Sequence, residues 1–245
     1  MTYKLFITNR NYSSWSLRPW LLLRALNIPF EEEFAELISG QYRQPQWKAF
    51  SPVAHVPCLH DTSSGSELLI LWESIAIIEY LAEQHPDKSV YPTASKVARA
   101  WARSAVAEMH AGFATIRDEM SMNIGLRVQL ESKQEVSEGL KKDLERISEL
   151  WTEGLSRFGG PWLAGKEFTA VDAFYAPVVL RLQTFVGSRA WLSEVADGYV
   201  ERVLGREEVK EWVDAALKET GREVLHEGDT VRGRKVLEDL RVQGA

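Results

Sequence analysis

Hydrophobic and polar positions divide the chain into two halves with different periods. Tyr3 to Thr8 is short, apolar and partly β-branched, which predicts a strand. The polar, turn-rich stretch Asn9 to Ser14 follows. The compact apolar run from Leu17 to Leu26 then predicts a helix over Ser16 to Leu26, with Pro19 tolerated in its first turn. Pro29 to Leu37 reads as a second strand, and Gly40 to Pro52 as irregular chain anchored by Tyr42, Trp47 and Phe50. Val56 to Leu59 opens a third strand. Leu68 to Trp72 is a fourth, pairing with it as a hairpin across the polar loop Thr62 to Ser66. Glu73 to Gln84 sets Ile75, Ile78 and Leu81 or Ala82 on one helical face and stops at His85-Pro86-Asp87.

Beyond Ser95 the period is helical almost throughout: Ser95 to about Met122, Gln134 to Phe158, Val171 to Leu182 and Glu207 to Thr220. The stretch Ser89 to Ala94, with Tyr91-Pro92-Thr93, reads as a linker. A mixed α/β half followed by an all-α half predicts two domains, residues 1–86 and 93–245. The charged tail from Gly221 to Ala245 has no assigned element, and no internal repeat is present.

Composition narrows the classes of function. With 45% hydrophobic and 26% charged residues, the chain is that of an ordinary globular protein. A net charge of -6 opposes general nucleic-acid binding while leaving room for a local basic pocket. Cys58 is the only cysteine, so no intrachain disulfide forms. No apolar run reaches the ~20 residues of a bilayer span, and Met1 to Arg10 lacks a signal-peptide pattern. The expectation is a cytoplasmic protein without a membrane partner.

Four local patterns carry candidate chemistry. Asn11-Tyr12-Ser13-Ser14-Trp15-Ser16-Leu17-Arg18 puts hydroxyls at a helix start, where unpaired N–H groups and the helix dipole favour an anion or thiolate. A serine there is equally an N-cap. Val56-Pro57 before a strand fits either an edge-strand proline or a cis peptide that aims the Val56 backbone at a ligand peptide. Glu73-Ser74 opens a helix, as caps or as a site for an ammonium and a carboxylate together. Thr169-Ala170-Val171-Asp172 has the capping-box form, a structural device for the helix after it.

In this order and at these distances, the four patterns resemble the cytosolic glutathione transferase family, over roughly Lys4 to Leu182. Glu73-Ser74-Ile75-Ala76-Ile77-Ile78-Glu79-Tyr80-Leu81 is typical of that family. Ser13-Ser14-Trp15-Ser16-Leu17-Arg18 is similar to the zeta-type segment Ser-Ser-Cys-Ser-x-Arg, with Trp15 in place of cysteine. The resemblance implies a thioredoxin-like first domain that binds glutathione as co-substrate and an all-helical second domain forming the second-substrate pocket. It also implies a homodimer. Ser13 is the implied catalytic residue and Ser14 its rival. The Val56 backbone, after His55 and before Pro57, would pair with the cysteinyl amide. Glu73 and Ser74 would hold the γ-glutamyl end, and His55, with Gln41 or Tyr42, the glycyl end. No metal is implied. The implied reaction is attack of a serine-stabilised thiolate on a small apolar electrophile. The alternatives are isomerisation of a maleyl-type acid, with Arg18, Arg117 and Arg127 as candidate basic residues, and a non-catalytic ligand binder. Met109, His110, Phe113 and Met120 read as core on a long helix rather than as pocket.

Overall fold

The computed structural model describes residues 3–37, 40–41, 44–63, 67–130 and 136–242; the expected role for Tyr42 lies outside these residues. The first half is built on a four-stranded sheet in the order β2-β1-β3-β4. β1 (Tyr3–Ile7) is central and turns Tyr3, Leu5 and Ile7 into the core. It pairs parallel with the exposed edge strand β2 (Phe30–Phe34) and antiparallel with β3 (Cys58–Asp61). β3 and β4 (Leu69–Trp72) form the expected antiparallel hairpin. A parallel pair needs a crossover, and α1 (Ser14–Ala25) supplies it. α2 (Ser74–Gln84) follows β4 directly.

α1 starts two residues earlier than expected because Ser13 caps it, its Oγ accepting from Ser16 N at 3.3 Å. Pro19 therefore sits in the second turn rather than the first and leaves the Trp15 carbonyl without its helical donor.

The second half is helical, as the family resemblance implies. The expected long helix after Ser95 is two helices, α3 (Lys96–Ala111) and α4 (Ala114–Glu119). Gly112 backs onto the Glu108 carbonyl, where a Cβ would lie 2.8 Å from the oxygen. Phe113 then takes φ 57 and buries its ring against Tyr175. Arg117, one turn into α4, bonds the carbonyls of Met109, His110 and Gly112 that the break leaves open.

α5 (Glu138–Phe158) buries Leu140, Leu144, Ile147, Trp151 and Leu155 at helical spacing. α6 (Ala170–Thr184) is buried along nearly its whole length, and α1 and α3 pack against it. α7 (Glu194–Leu204) and α8 (Glu207–Lys218) complete this layer. The tail adds α9 (Val224–Val231). A small three-stranded sheet also decorates the helical half, β6 (Phe185–Val186) and β7 (Val236–Asp239) flanking β5 (Leu126–Gln129). Its strands are too short to stand out in a helical sequence. Among the described residues no helix is long and apolar enough to cross a membrane.

Candidate active site

A cleft of about 540 Å³ opens beside the start of α1, and Ser13, Ser14, His55, Val56, Pro57, Glu73 and Ser74 all line it. The three separate sequence patterns thus meet in one place.

The Val56–Pro57 bond is cis, the isomer expected if this turn presents backbone to a ligand. Pro57 leads straight into β3, which carries Cys58. Burial pushes the Cys58 thiol up to about 12, and its Sγ donates to the Phe50 carbonyl at 3.4 Å. A thiol held this firmly protonated is no nucleophile.

Capping does not account for Glu73 and Ser74. Glu73 precedes α2 with φ 70 and ψ 123, and its side chain makes no cap bond. Holding a non-glycine residue there costs about 1–3 kcal/mol. Ser74 Oγ is buried and has no partner among the described residues. A buried hydroxyl without a partner is uncommon and expensive, and this one lines the cleft beside Glu73, whose backbone is held at positive φ. The pair fits a ligand bearing both an ammonium and a carboxylate.

At the start of α1, Ser13 Oγ lies 2.8 Å from Ser16 Oγ, which also accepts from Thr8 N at 3.4 Å. Ser14 Oγ accepts from Arg181 Nη2 at 3.4 Å. Tyr12 lines the same wall, but its hydroxyl donates to Glu227 Oε1 at 2.6 Å. Burial, then that carboxylate, pushes Tyr12 up to about 12.

Several lining residues were not named as site candidates from the sequence: Trp47, Arg181, His226 and Asp229. The tail supplies two of them. α9 brings His226 and Asp229 to the cleft, anchored by Glu227 to Tyr12, Asn123 and Arg241 and by Glu223 to Gly40 N. Trp15 carries guanidinium groups against its ring, Arg18 at 4.2 Å and Arg117 at 5.2 Å. An indole there supports cations by its quadrupole, as a cysteine would not.

Of the candidate basic residues, Arg117 lines the cleft, Arg18 lies buried behind Trp15, and Arg127 is elsewhere, on β5, bonded to the Ile124 and Leu126 carbonyls. Gln41 is exposed and does not line the cleft. Met109, Phe113 and Met120 are core, as expected. His110 stacks edge-on against Trp15, and burial with the nearby Arg18 pushes it down toward the neutral form. Among the described residues no cluster of His, Cys, Asp or Glu could hold a metal ion.

Two family descriptions match the chain: the glutathione S-transferase N-terminal domain over residues 12–84 and the glutathione S-transferase C-terminal domain over 134–215. Glutathione S-transferase GstB of Escherichia coli (strain K12) is 28% identical over 71% of this chain and 80% of its own. A Caenorhabditis elegans protein named "Probable maleylacetoacetate isomerase" is 28% identical over 72% and 77%. Among solved structures, glutathione transferase F7 from Populus trichocarpa superposes with TM-score 0.66 at 18% identity, covering 89% of this chain and all of that one. A Burkholderia glutathione transferase homologue with bound glutathione gives TM-score 0.58 at 22% identity, covering 88% and 97%.

Proposed function

The chain belongs to the cytosolic glutathione transferase superfamily, and from that premise we propose that it is an enzyme joining the glutathione sulfur to a small electrophile. In this reading residues 1–86 bind glutathione and residues 93–245 shape the second-substrate side, in a cytoplasmic homodimer. The observation that carries the reading is the Glu73–Ser74 pair, strained and without a partner at Ser74 Oγ, on the wall that also holds Ser13 and cis Val56–Pro57.

Glutathione supplies a thiol whose ordinary pKa, near 8.5, leaves it mostly protonated at neutral pH. The protein's task is to favour the thiolate. Ser13 is the proposed donor: its hydroxyl donates to Ser16 Oγ at 2.8 Å in the ligand-free protein and would turn that hydrogen to the sulfur when glutathione binds. The α1 N-terminus adds in the same direction. Lowering a thiol pKa by two units takes about 2.7 kcal/mol, and one charge-assisted hydrogen bond supplies about 1.5–3 kcal/mol. Ser14 is the alternative donor. Glu73 receives the γ-glutamyl ammonium, Ser74 its carboxylate, the Val56 backbone the cysteinyl amide, and His55 the glycyl end.

Calorimetry tests the site. Ser74→Ala removes an unpartnered buried hydroxyl, so the ligand-free protein keeps or slightly gains stability while glutathione affinity falls roughly 10- to 100-fold. Glu73→Ala weakens binding likewise. Unchanged affinity in both variants would return these residues to a purely structural role. Sedimentation at micromolar concentration checks the dimer; a monomer alone would count against it. The relative named as an isomerase keeps a second reading in view, isomerisation of a cis-enoyl acid. Turnover of a maleyl acid without net loss of glutathione would favour it.

A further inference from the structure

The cleft wall formed by α4 and α6 is cationic. Arg181 is buried in the last turn of apolar α6 and donates to the Met120 carbonyl and to Ser14 Oγ. Among the described residues Arg117 hydrogen-bonds only to main-chain carbonyls. Arg18, fully buried behind Trp15, rests on the Trp15 and Phe174 rings and leaves Nε and Nη1 without a partner. None of the three has an ion-pair partner among the described residues. Carbonyls and ring faces satisfy donors but do not cancel charge.

Arginine stays protonated in proteins, so three cations crowd one region. Burial and the Arg117 charge pull Arg181 down to about 9, and burial with both neighbours pulls Arg18 down as well. Leaving a buried charge unpaired costs several kcal/mol. The acids nearby do not offset this. Asp143, felt by Arg117, accepts from Ile116 N. Asp118 is exposed at the rim, Asp229 pairs with Arg232, and Glu73, whose charge is felt by His110, forms no ion pair with any of the three. One glutathione thiolate would balance one of the three cations and leave an excess.

We propose that the second substrate of this enzyme carries a carboxylate, held by Arg181 and Arg117 with Arg18 reinforcing the field from behind Trp15. This deepens the transferase reading and rests on it. It replaces the expected apolar electrophile with an anionic one. Arg181 and Arg117 line the same cleft as Ser13 and Ser14, and each keeps N–H donors beyond those bonded to carbonyls and Ser14, which suit a carboxylate. The carboxylate would anchor the molecule while its electrophilic carbon meets the sulfur.

Ethacrynic acid and its methyl ester provide the test, because the same enone reacts in both and only the remote carboxylate differs. Conjugation of the acid is expected to show a KM at least 10-fold lower than that of the ester. Arg181→Gln should raise KM for the acid 10-fold or more and erase the preference for acid over ester, and Arg181→Lys should restore part of the preference. Binding of the saturated, unreactive acid and its ester to the wild-type protein, measured by calorimetry, gives the same comparison without turnover and without any variant. Equal KM and equal affinity for acid and ester would overturn the carboxylate anchor while leaving the transferase reading intact if the ester is conjugated. An Arg181→Gln effect confined to the thiol titration would assign Arg181 to the sulfur and also overturn it. Tighter binding of the saturated acid with no conjugation of either compound would keep the anionic subsite and sink the transferase reading instead.

Discussion

Replacing Asp172 by alanine is expected to destabilise the protein by about 3–5 kcal/mol, enough to unfold a marginal domain. The carboxylate is wholly buried at the start of α6 and accepts from Leu163 N at 3.0 Å, Thr169 N at 2.9 Å, Thr169 Oγ1 at 3.3 Å and Tyr199 Oη at 3.1 Å. It thus ties the chain before α6, the helix itself and α7 together. Removing it leaves several buried donors without acceptors, each costing about 1–3 kcal/mol. Thr169→Ala removes only the cap hydroxyl and should cost about 1 kcal/mol. Chemical denaturation separates the two, and similar losses in both would show that Asp172 does no more than cap. Burial pushes Asp172 up to about 6 despite its donors. The folded-state value lies above the ordinary carboxyl value of about 3.9, so the native state holds the extra proton. The proton-linked part of its contribution is full below about pH 4 and lost as pH rises through about 6, while the four accepted hydrogen bonds remain. Asp172→Asn should abolish that component of the pH dependence.

The parts of the site that were legible are those encoded by short local patterns. Glu73-Ser74 and Val56-Pro57 each sit where one element hands over to the next, and the same few residues fix both the turn and the cleft-facing groups. The Thr169–Asp172 box was legible for the same reason. What was missed depends on contacts between distant residues. Tyr12 meets Glu227 across 215 positions, so nothing near either residue marks the tail as part of the wall. The break at Gly112-Phe113 was hidden because the residues on both sides keep helical period, and tertiary burial of Phe113 decides the matter. Arg181 did leave a signal: a lone charge in Val178-Val179-Leu180-Arg181-Leu182 on a buried helix. Arg127 was misleading because basic composition alone does not distinguish a cleft wall from a sheet edge.

Ser13→Ala is expected to slow conjugation at neutral pH by roughly 10- to 100-fold, the worth of one charge-assisted hydrogen bond. The rate should partly recover as pH rises, because bulk deprotonation then replaces the lost donor. Stability should fall by only about 1 kcal/mol, since Ser13 also caps α1 through Ser16 N. Ser14→Ala should act less on the thiol and more on the second substrate, because its hydroxyl faces Arg181. Tyr12→Phe should leave the thiol unaltered, its hydroxyl being committed to Glu227.

The central claim is that a serine hydroxyl at the start of α1 stabilises the glutathione thiolate. Its most direct test is the thiolate absorbance of the glutathione complex, titrated against pH for the wild type, Ser13→Ala and Ser14→Ala. The expected wild-type midpoint lies about two units below that of the free thiol and rises by about one to two units in Ser13→Ala. Superimposable titrations for all three proteins would contradict it.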